Sequence, residues 1–252
     1  MSVFKLIRNR VAAGLLIVLS AIALTGAPSH AHGDHGDHHV FARTVVGNVV
    51  SVTQYTPAKG VSVEALHAKL RATGVRGLVD PMSPRAFDPF QCYYGTAYAL
   101  DSGRCPAIQW SSARPVVYFR DYSSANWPVS AAVPSWNTSP DIDVWWRTSA
   151  CPSGSHCVTV NNGNYGATGW AGKTSYSYNT TTRFFVDGSV KIQLNDHYSD
   201  TYSERRNTAC HEVGHAIGVG HNVSTASCIY RTQGSAQNPT SDDINLLTHV
   251  IY

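Results

Sequence analysis

His211-Glu212-Val213-Gly214-His215-Ala216-Ile217-Gly218-Val219-Gly220-His221 is the run that decides how this chain reads. His211 and His215 stand four residues apart, so on a helix both imidazoles project from one face about one turn apart. Two imidazoles so placed can bind one tetrahedral ion, and Glu212, beside the first, can reach its water. Gly218 lies three residues past His215. Only glycine enters the left-handed region at little cost, so the helix is expected to end and turn sharply there. The turn returns His221 as a third nitrogen ligand and leaves a fourth position open, the mark of a catalytic rather than a structural zinc. With each of five fixed positions matching at roughly one in twenty, a chain of this length would show the pattern by chance about once in ten thousand sequences. The spacing therefore predicts one Zn2+ held by His211, His215 and His221, with Glu212 as general base.

Working outward, Thr201 and Glu204 have the spacing of a capping box that would start the helix carrying this run. Val190–Leu194 alternates apolar and polar side chains, as a half-buried strand does. Pro115–Arg120, Asp143–Arg147 and Thr182–Val186 read as further strands, and residues 128–137 carry apolar groups at helical spacing. Thr240 and Asp243 form a second capping box, opening a last helix through Ile244, Leu247 and Val250. Upstream, Val45–Val52 reads as a strand. Ser62 caps a helix to about Ala72 with Gly74 as its stop, and Val61 and Leu66 are spaced as a hydrophobic staple. Pro81, Pro84 and Pro89 then break regular structure.

The run from His211 to His221 resembles the long zinc signature of the metzincin clan of metallopeptidases, and every fixed position of that signature is present. Trp136-Asn137, Ile192-Gln193-Leu194-Asn195 and Asp242-Asp243-Ile244 are similar to flanking features of its bacterial matrixin-like branch. The resemblance covers roughly Cys92 to Tyr252. It implies an α/β catalytic domain with a twisted, mostly parallel sheet, a zinc helix and a C-terminal helix, acting as an endopeptidase on protein or peptide substrates. One departure stands out. Where the clan carries a methionine turn, this chain has Ser227-Cys228-Ile229-Tyr230. Ile229 in the methionine's place is a shape change costing about 1 kcal/mol. Tyr230, one position after it, is offset by one rather than two from the tyrosine that some members place near the metal, which favours a packing role.

The chain's start reads as an address. Lys5, Arg8 and Arg10 precede an apolar run from Val11 to Leu24, with small residues at Ser29 and Ala31, which predicts a secretory signal at residues 1–31. The run is shorter than the roughly 20 residues that span a bilayer. Removing residues 1–31 takes away three of 19 basic residues and none of 16 acidic ones, leaving 16 against 16. A balanced chain without a basic patch argues against nucleic acid or anionic membrane as partner. Six cysteines behind a signal read as three disulfides in an oxidising, extracellular compartment. Spacing favours Cys92–Cys105, Cys151–Cys157 and Cys210–Cys228. The organisation expected is a signal at 1–31, a histidine-rich tract and candidate pro-segment at 32–91, and a catalytic domain at 92–252. No Pro-Arg-Cys-Gly switch motif is present.

Three other readings compete: a different secreted zinc hydrolase such as a cell-wall peptide amidase, a non-catalytic zinc-binding module, and a metal scavenger built on His32-Gly-Asp-His-Gly-Asp-His-His39. Glu212 argues against the second, since a structural site has no need of a base beside an open position. A structural Ca2+ is left open, with no residues assigned to it.

Overall fold

The computed structural model describes residues 40–80, 92–100 and 104–252. The signal expected at 1–31, the histidine-rich tract at 32–39 and the break expected at 81–89 lie outside the described residues. The chain opens with β1 (Val40–Val46), β2 (Val49–Pro57) and helix α1 (Val63–Ala72), followed by two short strands, β3 (Tyr93–Tyr94) and β4 (Ala97–Ala99). Next come β5 (Val116–Asp121), helix α2 (Val129–Ala132), β6 (Asp143–Arg147), β7 (His156–Gly163), β8 (Trp170–Asn179) and β9 (Lys191–Asn195). Helix α3 (Tyr202–Ala216), β10 (Val219–Asn222) and helix α4 (Ser241–Leu246) complete the order.

Seven strands make one sheet in the order β1-β2-β8-β9-β7-β5-β6. From Cys92 onward this sheet is mostly parallel, as expected: β6, β5, β7 and β9 pair in parallel, and β8 alone runs against β9. Its inner face buries Val117, Phe119, Val144, Val158, Val160, Ile192 and Leu194. Each such side chain contributes roughly 1.5–3 kcal/mol when fully withdrawn from water. Under this face lies α3, against β8, β9 and α2.

Several elements differ from the sequence reading. Val45–Val52 is not one strand but the turn region of a hairpin, because Gly47 adopts φ +58° and Val46 pairs with Val49 across a two-residue loop. Thr182–Val186 is not a strand: Arg183 sits at φ +62°, and Phe184 and Phe185 make only isolated bridges. The helix expected over 128–137 is cut to α2 plus a tighter turn at Val133–Trp136, with Pro134 near its start. The last helix loosens into a wider turn over Leu247–Ile251. Strands β3, β4, β7, β8 and β10 form where the sequence pattern predicts none.

The hairpin β1–β2 joins the sheet through antiparallel pairing of β2 with β8. Val50 and Val52 enter the main core, whereas Val40 and Tyr55 point the other way and pack with Trp170 and with Val63, Leu66 and Leu70 of α1. Helix α1 forms as its sequence predicts. Ser62 Oγ accepts from the Ala65 amide at 3.1 Å, and Gly74 at φ +78° lies just past its end.

Helix α3 has a full capping box: Thr201 Oγ1 accepts from the Glu204 amide, and a Glu204 carboxylate oxygen accepts from the Thr201 amide, each at 3.2 Å. At its far end Trp110 Nε1 donates to the Ala216 carbonyl and the Tyr252 hydroxyl to that of Ile217, each at 3.0 Å. Gly218 then takes φ +102°, and a Cβ there would lie 2.6 Å from the Ile108 carbonyl oxygen. Gly218→Ala is therefore expected to cost about 1–3 kcal/mol through backbone strain and this clash. Urea unfolding checks it, and an unchanged midpoint would contradict the reading of this turn.

Candidate metal centre

The turn at Gly218 leads into β10, whose antiparallel pairing with β4 carries His221 back beside α3. His211, His215 and His221 are all buried, with ring centroids 4.6–5.2 Å apart. One candidate ligand atom from each lies within 4.8 Å of the others, so the three can hold one metal ion. Neighbouring carbonyls fix the tautomers of two of them. His211 Nδ1 lies 3.1 Å from the Cys228 carbonyl oxygen and His215 Nδ1 lies 2.9 Å from that of Val219. A carbonyl only accepts, so each Nδ1 carries a proton, which in the neutral ring leaves the Nε2 lone pair for a metal.

Cys228 is doubly placed here. Its carbonyl orients His211, and its sulfur is bonded to Cys210, the residue before His211. The other pairs are Cys92–Cys105 and Cys151–Cys157, the pairing that spacing favoured, and no cysteine is free among the described residues. Ile229 is fully buried under the helix, where its Cδ1 lies 2.5 Å from the place a Cβ on Gly214 would occupy. Bare Gly214 thus lets the turn pack directly beneath the two helical histidines. Tyr230 is partly buried with the Arg231 guanidinium 5.7 Å from its ring.

In the sequence Asp243 reads as a cap of the last helix and as part of the run Asp242-Asp243-Ile244. The structure makes it a hub. Fully buried, it accepts from Asn222 Nδ2 at 2.7 Å, from Ser227 Oγ at 2.6 Å and from the Thr240 amide at 2.6 Å. It thereby ties the residue after His221, the turn under the metal centre and the start of α4 to one carboxylate.

Glu212 is completely buried. Thr56 Oγ1 donates to Oε1 and Thr174 Oγ1 to Oε2, each at 2.6 Å. Gly172 of β8 lets the carboxylate come this close, since a Cβ there would meet Oε1 at 2.5 Å. Burial pushes the Glu212 carboxyl up to about 7, opposed by the hydrogen bonds from Thr174 and Thr56. A carboxyl in that range can both accept and return a proton near neutrality. Neither threonine was foreseen, because both reach Glu212 from strands remote in sequence.

Removing the bridge should loosen this centre. The Cys210→Ala/Cys228→Ala double variant is expected to lose about 3 kcal/mol through the unfolded state, given a separation of 18 residues. It should also release metal at lower chelator concentration, with Ile229→Met recovering part of the loss. Thermal melts and chelator titrations check this, and unchanged values in both would contradict it.

No family model matches the chain, and no curated protein matches it. Among solved structures it is similar to two of myroilysin, at 13% and 14% identity, covering 57% and 65% of this chain and 82% and 91% of those chains, with TM-scores of 0.36 and 0.34. It is also similar to metalloproteinase-II from Bacteroides fragilis, at 12% identity over 84% of this chain and 76% of that one, with a TM-score of 0.35. Likenesses this distant carry no weight for function, so the functional reading rests on the site itself.

Proposed function

We propose that this chain is a secreted zinc-dependent endopeptidase, with His211, His215 and His221 as metal ligands and Glu212 as general base. The observation that carries the reading is the buried convergence of His211 and His215 of α3 with His221 of β10, with buried Glu212 next to His211 on the helix. The donor set suits the ion: three imidazoles, two of them held by second bonds to carbonyls, make the three-nitrogen arrangement of catalytic zinc. No cysteine or carboxylate completes the metal group among the described residues. The disulfides accord with an oxidising compartment, and no helix among the described residues is long and apolar enough to cross a membrane.

When bound, zinc supplies a Lewis acid that acidifies water and polarises the scissile carbonyl. Glu212 takes the proton from the attacking water and returns it to the leaving amine. Thr174 holds the carboxylate in one orientation through its 2.6 Å bond. Cys228, Val219 and Asp243 keep the histidines and their turn in register. A peptide in extended form, pairing its main chain with the sheet strand beside Glu212, presents its carbonyl with the least ordering cost.

Prolonged incubation with a denatured protein, with zinc or with a chelator, tests the reading. New amino termini should appear in the zinc sample alone. Cleavage that survives complete removal of metal would overturn it.

A further inference from the structure

We propose that β2 is the molecule's own occupant of the substrate groove, so that the chain is latent until the end of the N-terminal hairpin leaves β8. The inference rests on the peptidase reading and adds its regulation. It begins with Glu212. A general base must meet water and substrate, yet this one is fully buried, and Oε1 is taken by Thr56, 156 positions earlier in the chain. Thr56 itself is fully buried and pairs with Gly172, the residue against which the carboxylate packs.

The strand pairing points the same way. One side of β8 is bonded to β9, and the other carries β2 from Val49↔Asn179 to Pro57↔Trp170. A strand has two edges, so a peptide that adds to β8 next to Glu212 must take the place of β2.

The segment leaving β2 is fastened to the same helix that bears Glu212. The Pro57 carbonyl accepts from the Gln233 amide and the Lys59 amide donates to Gln233 Oε1, both at 3.0 Å. Gln233 Nε2 in turn donates to Thr208 Oγ1 on α3 at 2.9 Å. Lys59 Nζ lies 3.1 Å from Glu204, near the start of α3. Residues 56–59 are thus held over the helix by polar groups, whereas Val50 and Val52 are anchored in the core. Tyr55, next to Thr56, is itself anchored with Trp170 and α1, so the polar bonds of residues 56–59 are the part of this end that exchanges readily with water. No thiol takes part, which separates this device from a cysteine switch.

The test uses the full chain in two variants. Thr53 and Ser175 are direct partners across β2 and β8 with hydroxyls 2.9 Å apart, so Thr53→Cys/Ser175→Cys can bridge the two strands three residues from Thr56. Lys59→Glu/Gln233→Ala removes the side-chain fastenings. Hydrolysis of a denatured protein and binding of an extended peptide hydroxamate to the zinc-loaded chain are both read. The bridged variant is expected to fall at least about tenfold below the parent in both, and to recover under mild reductant that leaves the parent unchanged. The loosened variant should rise at least about tenfold in both, as the open fraction grows. If the bridged chain cuts and binds as well as the parent, latency is wrong while the peptidase reading stands. If loosened and reduced chains hold zinc but neither cut nor bind, the groove is not a substrate groove and both ideas fall.

Discussion

Glu212→Gln is expected to retain fold and metal and to lose turnover by about two to four orders of magnitude, the range for removal of a general base. The amide keeps the shape of the carboxylate and can still accept from Thr56 or Thr174 through its oxygen, so packing against Gly172 is preserved. What it cannot do is take a proton. The comparison is made in the parent chain and again in Lys59→Glu/Gln233→Ala, so that hairpin closure does not mask the chemical loss. Substantial peptidase activity in the purified glutamine variant would remove Glu212 from the role of base.

The second large effect concerns the metal. His221→Ala leaves His211 and His215 on α3 but removes the imidazole that β10 delivers to the proposed site. Removing a direct ligand should weaken zinc by more than the roughly 10–100-fold that changes to outer-shell partners cause. The fold should suffer less, because β10 pairs with β4 through its main chain and Asn222 still reaches Asp243. Equilibrium dialysis with circular dichroism separates the two. Unchanged zinc affinity would mean that the third ligand is another residue.

The reasons these residues were legible in sequence, and others not, are physical. The start and stop of α3 could be read because capping and the left-handed turn are local: Thr201, Glu204 and Gly218 act within a few residues of themselves. Strands β5, β6 and β9 carry aliphatic or aromatic groups at simple spacing. Strand β8 hid because its inward face is Gly172, Thr174, Tyr176 and Tyr178, a row with too little aliphatic character to stand out. Its Thr174 is there to bond Glu212, and its Gly172 to admit it, so the features that disguised the strand are those that shape the site. The hairpin was blurred by valines on both sides of Gly47-Asn48. Thr56, Gln233 and the hub role of Asp243 depend on contacts between distant segments, which no local pattern encodes. The departure at Ile229 is resolved by packing, since Gly214 leaves room for it beneath the helix.

Titrating zinc into the metal-free chain while following hydrolysis of a denatured protein tests the central claim most directly. The rate should climb in proportion to added zinc and break at one equivalent, with new amino termini in the products and no such rise for Glu212→Gln. A chain that cuts the substrate before zinc is added, or that binds its equivalent and leaves the substrate intact even when the hairpin is loosened, would contradict the account.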